Sequence, residues 1–221
     1  MFKKVLVADD LLSINQGVVS VLDTLKITDV QEVQYCDDAY LKVKKAAQDN
    51  EPIELLITDL SYKKDHRNET YTSGEELVKV LKKEHPELKV IVYSVEDRLQ
   101  RVRTLMNKHN CNAYVCKGRR GLIELNTAIN TVYNNDTYLS PQVAAATSPK
   151  TNIEIDDFDI ILLKQLSLGL SQEGISQHLQ KKNLSPYSLS SIEKKINKLK
   201  TQFGANNTIH LVSIAKDLGL I

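Results

Sequence analysis

Residues 4–10 read Lys4-Val-Leu-Val-Ala-Asp-Asp10, a run of strand length that is almost wholly apolar and stops on two carboxylates. An unbroken apolar run predicts a strand buried on both faces rather than one with a wet side. Four further runs follow, at Val30–Tyr35, Leu55–Thr58, Lys89–Tyr93 and Ala113–Cys116. The stretches between them carry helical apolar spacing, as in Leu77, Val78 and Leu81, or Leu99, Val102, Leu105 and Met106. Strands alternating with helices predict a parallel sheet covered on both faces. Five strand–helix units fit residues 1–135, giving an α/β, doubly wound, five-stranded parallel sheet.

Four of the five runs end on polar residues. Asp9 and Asp10 follow the first, Asp59 the third, Ser94 the fourth and Lys117 the fifth. In an open parallel sheet the carboxyl ends of the strands converge on one crevice, where the strand order reverses. One Asp after a strand is an ordinary turn residue; five polar groups at the same end of successive strands form a site. Three carboxylates brought together repel unless a counter-charge joins them. A hard divalent cation, Mg2+, suits an all-oxygen set. A carboxylate beside it is already ionised at neutral pH and can act as a nucleophile toward a phosphoryl group. Lys117 and the Ser94 hydroxyl are placed to hold the phosphoryl oxygens.

Composition sets outer limits. With 29 Lys plus Arg against 28 Asp plus Glu, overall charge selects no partner, but every Arg lies at or before residue 120. Cys36, Cys111 and Cys116 show no metal-ligand spacing and predict a reducing, cytoplasmic setting. No apolar run approaches the roughly 20 residues that span a bilayer, so no membrane partner is expected.

After Tyr133 the alternation lapses. Residues 136–155 are small, polar and proline-punctuated, which predicts a linker. From 156 to 221 only helical periodicity appears, in four segments around Phe158–Leu166, Ile175–Leu179, Ile192–Phe203 and Leu211–Leu218, an all-α four-helix domain.

The residues at the strand ends give residues 1–135 a clear resemblance to the receiver domain of two-component signalling, whose fold is flavodoxin-like. The resemblance makes Asp59 the phosphoacceptor, Asp9 and Asp10 the acidic pair, Ser94 the switch hydroxyl, Lys117 the paired lysine and Tyr114 the switch aromatic. It implies Mg2+ held by Asp10, Asp59 and the Ser61 backbone carbonyl, with Asp9 acting through water. Three departures stand out. The segment after Asp59 is long and charged, and its glycine comes only at Gly74. Gly118 replaces the proline that usually follows the lysine, and Val95 replaces the commoner alanine, which predicts a narrower phosphoryl pocket.

Gly169-Leu-Ser-Gln-Glu-Gly-Ile-Ser-Gln-His-Leu179 resembles the scaffold half of a LuxR-type helix-turn-helix, and Ser191–Gly204 its recognition helix. On that helix Lys194, Lys195 and Lys198 are expected at the major groove and Lys200 nearer the phosphates. Lysine neutralises phosphate better than it reads bases, so discrimination falls to Asn197, Ser190 and Ser191. Gln180–Ser190 is longer than the family's turn, and Ser185-Pro186 is a possible helix start that would lengthen the recognition helix.

These resemblances imply a response regulator rather than an enzyme. A sensor histidine kinase would phosphorylate it, and it would bind double-stranded DNA, as a homodimer once phosphorylated. The long turn and the lack of arginine leave one alternative, a phosphorylation-gated protein-interaction module whose helical domain does not bind DNA. A metal-dependent phosphatase would need a second acid just after the nucleophile, where the chain offers Leu60-Ser61.

Overall fold

The computed structural model describes residues 1–63, 66, 69–147 and 155–221. Chain contacts divide it into two compact units, residues 1–97 with 101–146 and residues 98–100 with 147–221.

In the first unit β1 (Lys4–Ala8), β2 (Asp29–Val33), β3 (Leu55–Thr58), β4 (Lys89–Ser94) and β5 (Ala113–Cys116) are parallel. They alternate with α1 (Leu12–Thr24), α2 (Cys36–Gln48), α3 (Gly74–Glu84), α4 (Leu99–Arg103, continued by a π turn through Lys108) and α5 (Gly121–Tyr133). Strands β3 and β5 are buried at every residue, which is why their sequences are unbroken apolar runs. Val5, Val7, Leu55, Ile57, Ile91 and Val115 form one core with Val18, Leu22, Leu125 and Ile129 from the helices.

The sheet has six strands, in the order β2-β1-β3-β4-β5-β6, not the five expected. The sixth, β6 (Tyr138–Leu139), pairs parallel with β5, and a 3-10 helix (Pro141–Thr147) follows it. Both lie in the stretch expected to be linker. Asn135, in the left-handed region at φ 65°, turns the chain after α5. The Tyr138 N–H then donates to Asn112 O and the Ser140 N–H to Tyr114 O. Ser140 is fully buried, donates to the Glu124 carboxylate of α5 and accepts from the Cys116 N–H. Two residues of strand between Asn-Asp-Thr and Ser-Pro leave no period to detect, so only tertiary pairing defines this element.

The second unit holds α6 (Asp157–Ser167), α7 (Gln172–Lys181), α8 (Leu189–Phe203) and α9 (Thr208–Asp217) around Leu162, Leu163, Ile175, Leu179, Ile192, Ile196, Leu199 and Leu211. Each helix begins at a side-chain cap, from Asp156, Ser171, Ser188 and Asn207 respectively; each cap satisfies an N–H that the helix itself leaves free. Gly204, at φ 62°, ends α8 in the left-handed conformation common there.

Candidate functional site

Strand order reverses about β1, which lies between β2 and β3, so the crevice opens above the carboxyl ends of β1 and β3. Asp9 and Asp10 leave β1 there and Asp59 leaves β3. One carboxylate oxygen from each lies within 4.8 Å of the others. Asp9 is 3% exposed and Asp59 5%, whereas Asp10 is half-buried.

Lys117, from the end of β5, places its Nζ 2.6 Å from Asp9 Oδ2 and 2.6 Å from Asp59 Oδ2. Burial alone would lower the lysine pKa, but its hydrogen bonds to Asp59 and Asp9 outweigh that and hold the ammonium above its usual value. The Asp9 carboxyl is raised by burial, against the opposing pull of the Lys117 hydrogen bond. The Tyr93 ring centroid lies 5.6 Å from the ammonium and closes that side.

Backbone donors hold the remaining oxygens. Asp9 Oδ1 accepts from the Leu11 N–H at 3.0 Å, and Asp59 Oδ1 from the Leu60 N–H at 2.6 Å. Buried Asn15 reaches back from α1 to donate to the Asp9 carbonyl, which fixes the turn bearing the acidic pair. Gly74 has a strict reason to be glycine: a Cβ there would sit 1.8 Å from the Asp59 carbonyl oxygen. The start of α3 is therefore seated against the backbone of Asp59.

Ser94 is fully buried at the end of β4, and its Oγ accepts from the Glu96 N–H at 3.4 Å. Tyr114 is also fully buried, and its hydroxyl donates to the Glu96 carbonyl at 2.7 Å. Burial pushes its phenol pKa far above the ordinary value. Val95, which follows Ser94 in the chain, is 69% exposed. Ser61, expected to lend its carbonyl to the metal, lies in a bridge with Ser73 across the neck of the β3–α3 insertion.

This set fits Mg2+, because three carboxylate donors converge and all are hard oxygens. Sequence reading missed Tyr93, which looked like one more apolar strand residue, and Tyr62, which falls in the charged insertion. Tyr62 sets its hydroxyl 2.7 Å from Ala8 O and 2.8 Å from Thr58 Oγ1.

In the second unit, α8 carries the residues expected at DNA. Lys194, Asn197 and Lys198 are exposed, Ser190 is exposed near its N-terminus, and Ser191 and Lys200 are half-buried. Lys195 differs from the expectation. Its Nζ lies 2.8 Å from Asp156 Oδ2 and 3.2 Å from Asp159 Oδ1, so it closes the capping box that starts α6. Of the long connection, only Leu189 and Ser190 extend α8, which starts at Leu189 with Ser188 as cap. The rest form a tacked-down turn: the Leu184 N–H donates to Leu179 O, and the Ser176 hydroxyl donates to Tyr187 O at 2.6 Å.

A receiver-type sheet with its acidic crevice, followed by a four-helix helix-turn-helix unit, defines the architectural class. No family model matches the chain, and no curated protein matches it. Among solved structures it is similar to the RcsB response regulator of Salmonella typhimurium, at 19% identity and a TM-score of 0.66, covering 97% of this chain and 99% of that one. A complex of the two-component response regulator RcsB with DNA gives 19% identity and a TM-score of 0.65, covering 99% and 100%. The isolated REC domain of RcsB from Salmonella enterica serovar Typhimurium, with the phosphomimetic BeF3−, matches at 20% identity and a TM-score of 0.55 over 67% of this chain and all of that one. The likeness spans both units and is one of fold.

Proposed function

We propose that this chain is a response regulator, phosphorylated on Asp59 by a sensor histidine kinase and acting through its helical unit as a DNA-binding transcription regulator. The observation that carries the reading is the pairing of one ammonium with two buried carboxylates beside a third, all at strand ends. Asp10, Asp59 and the Ser61 carbonyl would hold Mg2+, with Asp9 acting through water. The ion would supply charge neutralisation to a phosphoryl group. Asp59 is the nucleophile: its oxygen forms the new bond to phosphorus as the bond to the donor's imidazole nitrogen breaks. Lys117 is already an ammonium and exchanges a carboxylate contact for a phosphoryl oxygen, while the Ser94 hydroxyl donates to another.

The added charge, about −1.5 to −2, draws Ser94 toward the phosphoryl group. Because Ser94 and Tyr114 both engage Glu96, that shift is passed to the β4–α4 loop. In the helical unit, Lys194 and Lys198 neutralise phosphates, while Asn197, Ser190 and Ser191 face bases and Lys200 lies nearer the backbone. The solved RcsB structures include two dimers bound to two parallel DNAs, which supports a homodimer on a two-fold site.

The test is to incubate the full chain with sheared genomic DNA, with and without BeF3− and Mg2+, and to sequence what is retained. Discrete sites enriched by the mimic and lost in Asp59→Ala are expected. If no fragment is enriched at moderate salt, DNA is not the partner of the helical unit.

A further inference from the structure

The β3–α3 insertion is long and charged, yet its described ends are fastened. Ser61 and Ser73 bridge its neck, and the Gly74 N–H donates to Leu60 O at 3.1 Å. At the far side the Thr70 and Tyr71 N–H groups donate to the Asp37 carboxylate of α2, at 2.8 and 2.9 Å. At the near side Tyr62 turns its hydroxyl back into the sheet.

Both of its partners are informative. Ala8 and Thr58 face each other in the β1–β3 register, and they immediately precede Asp9 and Asp59. Ala8 O also accepts the Asp59 N–H at 3.0 Å, so the Tyr62 hydroxyl takes its second lone pair. Thr58 Oγ1 lies 2.9 Å from Asp59 O as well. Two hydroxyl protons thus serve three short contacts, all at the base of the acidic crevice. One residue on, the Lys63 N–H donates to Asp10 Oδ2 at 3.1 Å.

We propose that Tyr62 is a positioning residue for the divalent-cation site. Its hydroxyl fixes the end of β1, which bears Asp9 and Asp10, against the end of β3, which bears Asp59, and the same anchor presents the Lys63 N–H to Asp10. This rests on the metal-assisted reading above. A small octahedral ion demands near-ideal ligand placement, so a loosened support weakens binding without removing a ligand.

The experiment titrates the full-length protein with Mn2+ and measures the free ion by electron paramagnetic resonance. Four proteins are compared: wild type, Tyr62→Phe, Asp37→Asn and Tyr187→Phe. Tyr62→Phe keeps the ring and loses only the hydroxyl; Asp37→Asn loosens the insertion at its far end. Tyr62→Phe is expected to raise the Mn2+ dissociation constant about fivefold, the worth of one net hydrogen bond. Asp37→Asn is expected to raise it less, and Tyr187→Phe not at all. A merely structural tyrosine would lower the melting temperature and leave the Mn2+ affinity within about twofold of wild type, and that result overturns the proposal. So does an Asp37→Asn effect equal to that of Tyr62→Phe, because the insertion as a whole and not this hydroxyl would then set the affinity. If the wild type itself binds no Mn2+, the metal reading fails and takes this inference with it.

Discussion

Replacing Lys117 with Met removes the cation that separates two buried carboxylates. Asp9 and Asp59 are 3% and 5% exposed, and each gives an oxygen to the ammonium at 2.6 Å. Methionine fills similar volume, so the loss is electrostatic rather than a cavity. Breaking a buried ion pair from one side costs about 3–5 kcal/mol. For a unit of this size each kcal/mol moves the melting temperature by ~2–4 °C, so the first unit should melt roughly 10 °C lower in EDTA. Mg2+ should restore more stability to the variant than to wild type, because it replaces the missing charge. The pH dependence follows from Asp9, whose pKa burial already raises. A carboxyl raised on folding contributes stability that is present at low pH and lost as pH rises through its folded value. Without Lys117 its pKa rises further, so the deficit should be largest near neutral pH and narrow toward about pH 5. Thermal melts across pH, with EDTA or Mg2+, decide the matter. A variant melting within about 2 °C of wild type in EDTA near neutral pH would refute the reasoning, because the carboxylates would not need their cation.

Gly74→Ala should destabilise the first unit by about 3 kcal/mol, since the new methyl meets backbone atoms of Asp59 that cannot yield; urea unfolding measures the loss, and Mn2+ titration should show weakened binding. Lys195→Met should destabilise the helical unit by about 1–2 kcal/mol, because it strips the ion pair from buried Asp159; calorimetry of the full chain reads this in the helical unit's transition. Val95→Ala should speed autodephosphorylation, because the residue after Ser94 loses two methyls at the expected phosphoryl pocket, and a slower variant, followed by loss of the phosphoryl group in intact mass, would count against it.

The sheet and its acidic crevice were legible because burial on both faces leaves unbroken apolar runs, and because strands ending at one edge bring their next residues together. Asp9, Asp10, Asp59 and Lys117 needed only that rule. The sixth strand was not legible, since Tyr138 and Leu139 are held by pairing with β5 rather than by any pattern of their own. The ion pairs of Lys195 were not legible for a related reason. Helical spacing puts it beside the exposed lysines, but its partners Asp156 and Asp159 come from another helix, and only packing brings them within reach. Tyr62 sits among charged residues and reads as loop, although its hydroxyl is tied to the strand ends. In the connection before α8, proline suggested a helix start, while Ser188, two residues later, takes the cap.

Phosphoryl transfer to Asp59 is the central claim, and incubating the full chain with acetyl phosphate and Mg2+ tests it most directly. Intact-mass spectrometry followed by peptide mapping should find one added phosphoryl group, on Asp59, that is absent without Mg2+ and absent in Asp59→Asn. No added mass in wild type, or the same mass gain in Asp59→Asn, would contradict the account.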